Sequence, residues 1–205
     1  MWNDSVIEAI RRFPSGSLEL EDIGLGVHRI SDVASRRAAI KALIPQLKYR
    51  LREERVELIA QIEERAGNHM KGDLMMSDSQ LLRLANDPRA TIGGHTISHP
   101  ILRNLSDEEA EMEIFEGKER LEELLKRKIS CFAYPNGVPN KDFDIRDRAL
   151  VEKAGYELAV STSPGGVHSD SDAFQLPRFT PWDKNRFVFG LRLLHTSRNR
   201  GVCCS

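Results

Sequence analysis

Gly93-Gly94-His95-Thr96-Ile97-Ser98-His99-Pro100 is the stretch on which the reading of this chain turns. Thr91-Ile92, just ahead of it, reads as a short strand. The glycine pair then breaks the run, which puts both histidines on a loop at the carboxyl end of that strand. Two imidazoles four residues apart can aim ring nitrogens at one cation, on a helical turn or in a tight loop. Spacing alone is weak, because surface and core histidines meet it by chance in many proteins. The flanking glycines and proline mark a fixed loop instead of a helix interior, and α/β folds place their active sites at the carboxyl ends of strands. Thr96 stands where a zincin carries its glutamate base, which excludes that protease class.

The elements on either side supply the α/β rhythm. Ser77 is a good N-cap for a helix with Leu81, Leu82 and Leu84, ended by Asp87-Pro88. Ser106-Asp107-Glu108-Glu109 is a capping box for a long helix to about Lys126, with Ala110, Ile114, Leu121, Leu124 and Leu125 facing inward. Ile129 to Ala133 reads as a strand that runs into Tyr134-Pro135-Asn136-Gly137. That turn can point backbone N–H groups into a cleft, although on its own it is ordinary turn chemistry. Asp142 to Lys153 is a helix closed by Gly155, and Tyr156 to Ser161 is another strand. Helix and strand alternate throughout, which predicts parallel strands.

Farther out, residues 2–13 read as an amphipathic helix with Val6, Ile7 and Ile10 on one face, ended by Pro14 and Gly16. Ser17 to Glu21 alternates like a short strand, and Gly24 and Gly26 break the chain. From Ser31 to Ala66 the pattern is helical, with Pro45 expected to kink or end the first helix and Gly67 to close the second. The expected organisation is a helical segment over 1–70, an α/β part over 71–197 and a polar tail over 198–205.

Composition narrows the class. The chain has 205 residues, 40% hydrophobic and 30% charged, which describes a folded domain with a substantial core. Its 30 basic residues balance 31 acidic ones, so no basic surface is expected to gather nucleic acid. No apolar run reaches the ~18–20 residues that span a bilayer. Asn3, Asp4 and Glu8 interrupt what would be the apolar core of a signal peptide. Cys131 reads as a buried thiol, while Cys203 and Cys204 read as incidental tail residues. This usage fits a reducing compartment and favours the cytoplasm, while the location stays open because an expected loss of the amino terminus would take any targeting signal with it.

Taken in order, the two turn-bearing segments resemble the polysaccharide deacetylase family. Its H-[S/T]-x-x-H motif is matched by His95-Thr96-Ile97-Ser98-His99. The F-A-Y-P-x-G form of its next motif is matched by Phe132-Ala133-Tyr134-Pro135-Asn136-Gly137. Gly155-Tyr156 with Ser161-Thr162, and Leu176-Pro177-Arg178, also look like this family, so the resemblance runs from about Leu74 to Trp182. Residues 2–67 resemble the helical segment that bacterial members of one subgroup carry between the first two motifs.

The resemblance implies a distorted (β/α) barrel with a divalent metal, zinc by type, held by His95, His99 and an aspartate. It implies hydrolysis of the acetamide of N-acetylated sugars in a polysaccharide, with the Asn136 N–H among the donors to the oxyanion and Thr96 shaping the loop. Some members carry an arginine where Ala133 stands, and Arg178 is the candidate for a compensating cation. The departure is the first motif, T-F-D-D-G, which supplies the base and the third ligand. No Asp-Asp pair occurs in the chain, and Asp22, Asp73 and Asp78 are isolated. The expectation is an amino-terminally truncated, incomplete barrel that is poorly stable and does not turn substrate over. Leu193-Leu194-His195 fits the family's L-x-H on paper but lies in an amphipathic helical run, where coincidence explains it. His28, His69 and His168 sit in polar or loop contexts. The competing readings are a non-catalytic remnant that binds carbohydrate or a partner, and a helical scaffold with an accidental histidine pair.

Overall fold

Residues 2–67, 75–180 and 182–204 are described by the structure, a computed structural model. They divide into two units, Met1–Ser77 and Asp78–Ser205. No helix among the described residues is long and apolar enough to cross a membrane.

In the first unit the apolar spacing of Val6, Ala9 and Ile10 gives helix α1 (Trp2–Arg12) one buried face. The last carbonyls of a helix need donors from outside it. Arg36 supplies them, its Nη1 donating to the Ile10 and Phe13 carbonyls at 2.6 Å each. Strand β1 (Gly16–Leu20) pairs antiparallel with β2 (Gly26–Ile30), Leu18 opposite His28. The segment read as helical over 1–70 therefore contains a hairpin. Gly24 and Gly26, at φ 75° and 77°, are turn residues inside it rather than breaks before a helix. Helix α2 (Val33–Lys48) starts at a capping box between Asp32 and Ser35, and α3 (Arg52–Arg65) follows. Of the two outcomes expected at Pro45, a kink or an end, the end does not occur, since α2 runs on to Lys48. Less than one turn of helix follows the proline, and Leu43 and Leu47, both fully buried, hold the chain on either side. These leucines join Val6, Ile10, Leu18, Leu20, Ile30 and Ile62 in one apolar core. Gly67 closes the segment at φ 66°, as its position predicts.

The second unit contains α4 (Asp78–Ala85), α5 (Asp107–Leu125), β3 (Cys131–Ala133), α6 (Ile145–Lys153), β4 (Leu158–Val160) and α7 (Arg186–Ser197). The capping box of α5 forms as read. Ser106 Oγ accepts the Glu109 N–H at 3.2 Å, and Glu109 Oε2 accepts the Ser106 N–H at 2.8 Å. Strands β3 and β4 are parallel, with Phe132 beside Ala159. Single-residue parallel bridges extend the pair on both sides, Gly94 to Phe132 and Val160 to Leu176. No strand forms at Thr91-Ile92, and a single bridge stands in its place at Gly94, whose N–H donates to Cys131 O at 2.8 Å and whose carbonyl accepts the Ala133 N–H at 2.9 Å. The architecture is α/β with helical material at the amino terminus, and the described residues do not close into a barrel. Tyr134 stacks on Phe143 with centroids 3.7 Å apart, and Phe132, Ile114, Leu102 and Val151 complete the core around them.

Two cysteine readings are corrected. Cys131 is half-buried, and Cys204 is the buried thiol, 8% exposed. The segment read as a loose polar tail is docked. Val202 N–H donates to Ser163 Oγ at 2.6 Å, Cys204 N–H donates to Gln175 Oε1 at 2.5 Å, and Cys204 Sγ lies 3.4 Å from Phe143 O. Cys203, next to it, is exposed.

Candidate functional site

Parallel segments end on the same side, so four loops leave this small array together. His95 follows Gly94, Tyr134–Gly137 follows β3, Ser161-Thr162 follows β4, and Pro177-Arg178 follows Leu176. Hydrogen bonds tie these loops in sequence. His95 Nδ1 lies 2.6 Å from Ala133 O. Thr162 donates its N–H to Gly137 O and its hydroxyl to Asn136 O, both at 2.8 Å. Arg178 Nε donates to Ser161 O at 2.6 Å. The structure therefore aligns His95, Asn136 and Arg178 along one end of the parallel array.

The two histidines converge. Their ring centroids are 4.8 Å apart, edge to face at 71°. A carbonyl oxygen can only accept, so the contact with Ala133 puts the His95 proton on Nδ1 and leaves Nε2 with its lone pair. That is how a metal-binding imidazole is usually oriented, by a hydrogen bond on its other nitrogen. Thr96 braces the loop from inside, its hydroxyl donating to His95 O at 2.6 Å and accepting the His99 N–H at 3.1 Å. Thr96 and His99 are both left-handed, at φ 63° and 58°.

Glu113 was missed by the sequence reading. Its Oε2 accepts the N–H groups of Ile97 and Ser98 at 2.8 Å each, and its Oε1 accepts the Ser98 hydroxyl at 2.5 Å. The available signal was its place between Ala110 and Gly117, i−3 and i+4 on the inward stripe of α5, where an unpaired carboxylate would not be stable. Tyr156 was missed as well. Its buried hydroxyl lies against Gly94, where an added Cβ would come within 2.1 Å of it. Burial pushes the pKa of that phenol up.

Asn136 is left-handed at φ 58°, and its N–H makes no hydrogen bond among the described residues. Gly137 has no room for a side chain, since a Cβ would lie 3.0 Å from Tyr134 O and 3.1 Å from Thr162 N. His195 belongs to α7, with Nε2 3.2 Å from Asn199 Nδ2. His69 and Asp73 lie outside the described residues.

As a metal site, the described residues offer two donors. Zinc takes three or four protein ligands. His95 and His99 suit two of those positions, and no third His, Cys, Asp or Glu joins them in a metal-holding cluster among the described residues.

The sequence profile of the polysaccharide deacetylase family matches residues 52–159, just over half of the chain. The chain belongs to the polysaccharide deacetylase family. YxkH of Bacillus subtilis (strain 168), which carries a polysaccharide deacetylase name, is 27% identical to this family member over 88 residues, 43% of the chain. The matched region spans 30% of the length of YxkH. Among solved structures, the Streptococcus pyogenes deacetylase PplD, in complex with acetate, superposes with a TM-score of 0.52 at 14% identity. That match covers 96% of this chain and 87% of PplD and is a likeness of fold. The polysaccharide deacetylase BC0361 of Bacillus cereus gives a TM-score of 0.46 at 20% identity over 53% of this chain and 33% of its own.

Proposed function

We propose that this deacetylase-family chain carries the histidine half of a metal-dependent amide hydrolase for N-acetylated sugars in a polysaccharide, and that the histidine half alone does not turn substrate over. The observation that carries the reading is the convergence of His95 and His99, with His95 locked in the tautomer that leaves Nε2 to a cation. A bound zinc-type ion polarises a carbonyl and lowers the pKa of its water toward ~7. His95 and His99 would hold it. The Asn136 N–H, which makes no hydrogen bond among the described residues, would donate to the oxygen of a substrate acetamide as charge develops there. Arg178 adds a cation along the same edge, its Nε fixed by Ser161 O. Among the described residues no carboxylate joins the histidines in a metal-holding cluster, and the general-base help that such a group would give is worth about 10²–10⁴-fold. That gap also favours the second reading, a fold that binds N-acetylated sugar without cleaving it.

Zinc titration of the full chain, followed through the imidazole resonances, tests the metal. His95 and His99 signals should shift together, and His95→Ala or His99→Ala should abolish the response. Imidazoles indifferent to zinc would end the metal reading. Incubation with an acetylated chitooligosaccharide should release no acetate. Zinc-dependent acetate release would refute the inactivity, while sugar binding without release would favour the second reading.

A further inference from the structure

A loop of five residues, His95 to His99, contains two left-handed residues that are not glycine, one of them β-branched. Such conformations persist only where the surroundings over-determine them. Thr96 supplies one restraint from within the loop. The other comes from outside it. Glu113, one turn and a half into α5 and only 4% exposed, spends both carboxylate oxygens on this loop. Its Oε2 gathers the N–H groups of Ile97 and Ser98, two of the three residues between the histidines. Drawing two successive N–H groups to one oxygen curls the backbone, and the residues on either side are thereby turned toward each other. Gly117, the next turn on the same face, lets the helix approach. A Cβ there would lie 3.4 Å from the Thr96 carbonyl carbon and from Ile97 Cγ1, so no side chain stands between helix and loop.

We infer that Glu113 is a positioning residue that sets the separation of the His95 and His99 rings and, through it, the affinity of the pair for a divalent cation. The cation part rests on the metal reading above, whereas control of the ring separation stands without it. A buried carboxylate is retained only if its lone pairs are satisfied, and here the donors belong to the segment joining the two candidate ligands. Losing it would leave two N–H groups and a hydroxyl without their acceptor. Supporting residues of this kind commonly govern metal affinity by 10–100-fold.

The test uses histidine-labelled full-length chain with two readouts. One is the cross-relaxation between the His95 and His99 rings in metal-free protein, and the other is the zinc dissociation constant from imidazole shifts. Glu113→Ala should lose the inter-ring signal and weaken zinc about 10–100-fold. Glu113→Gln keeps an oxygen for the two N–H groups. It should retain the inter-ring signal and bind zinc within about threefold of wild type. Ser106→Ala, which removes the N-cap of α5 away from the loop, should lower Tm and leave both readouts unchanged. If Glu113→Ala does not fold, Ser98→Ala removes only the Oε1 contact and should weaken zinc about threefold with the fold intact. A wild-type inter-ring signal in Glu113→Ala, or zinc affinity in Ser106→Ala that falls along with Tm, would overturn the assignment. An intact inter-ring signal in a wild-type chain blind to zinc would instead refute the metal reading. In that case the inter-ring signal of Glu113→Ala still decides whether Glu113 sets the ring separation.

Discussion

Residues 2–67 and 78–204 satisfy their buried backbone with different material. In the first region long helices and a hairpin of two five-residue strands close most of their own hydrogen bonds, and the core beneath them is nearly all apolar, with Glu8 and Arg55 as its buried charges. In the second region each strand has three residues, so much of the buried chain is loop. Loop backbone has no regular ladder to satisfy it and takes part of its partners from side chains. Asp142 accepts the Val138 N–H at 3.0 Å, Asp147 the Asp144 N–H at 3.0 Å, Ser163 the Val202 N–H and Gln175 the Cys204 N–H. Glu113 does the same for the histidine loop. Function needs loops at fixed positions, and a fixed loop needs a buried polar anchor. The candidate site and the buried Glu113, Asp142 and Asp147 therefore fall in the same region.

The contrast can be broken at both ends. Leu43→Ala empties a fully buried position of the apolar region and should cost about 2–5 kcal/mol by urea denaturation. Amide exchange should accelerate across residues 2–67. A loss under about 1 kcal/mol would mean that packing does not hold this region. Gly94→Ala drives a methyl group into the Tyr156 hydroxyl, a ring backed by Phe132 at 5.1 Å between centroids. The expected cost is about 1–3 kcal/mol, with the His95 resonances displaced. An unperturbed His95 would show that the loop does not lean on that ring. Asp172→Asn probes a polar anchor whose contribution depends on pH. Burial works against its carboxylate. The Arg148 guanidinium at 3.0 and 3.2 Å, with the Phe174 N–H and the Gln175 amide, outweighs burial and holds its pKa below the ordinary 3.8. A depressed acid stabilises the fold above its unfolded pKa and loses that contribution as pH falls through the folded one. The variant should be weaker by about 1 kcal/mol near neutral pH, and the difference should vanish in acid below 3.8. A gap that widens in acid would reverse the assigned sign.

Features written in local chemistry were legible from the residues. The α5 cap needs only Ser106 and Glu109, three positions apart, and the histidine pair needs only its spacing and flanking glycines. The parallel array followed from the alternation of helix and strand, although no strand forms at Thr91-Ile92 and a single bridge at Gly94 stands in its place. What failed depended on distant contacts. A glutamate on a charged helix looks solvated until the loop that covers it is known, and Glu113 lies fifteen residues from its partner Ser98. Gly24 and Gly26 looked like breaks because the strand they introduce, Gly26 to Ile30, shows its pairing only against β1. The docking of Cys204 depends on Gln175 and Phe143, which sequence order does not bring near it.

Ala133 uses both of its peptide groups on consecutive residues, its N–H on the Gly94 carbonyl and its carbonyl on the His95 ring. The imidazole of His95 thus takes the rung that a peptide N–H would occupy in a longer ladder. One leaf of the histidine pair is thereby bolted to the sheet, and any slip of Ala133 along its ladder would carry the His95 ring with it.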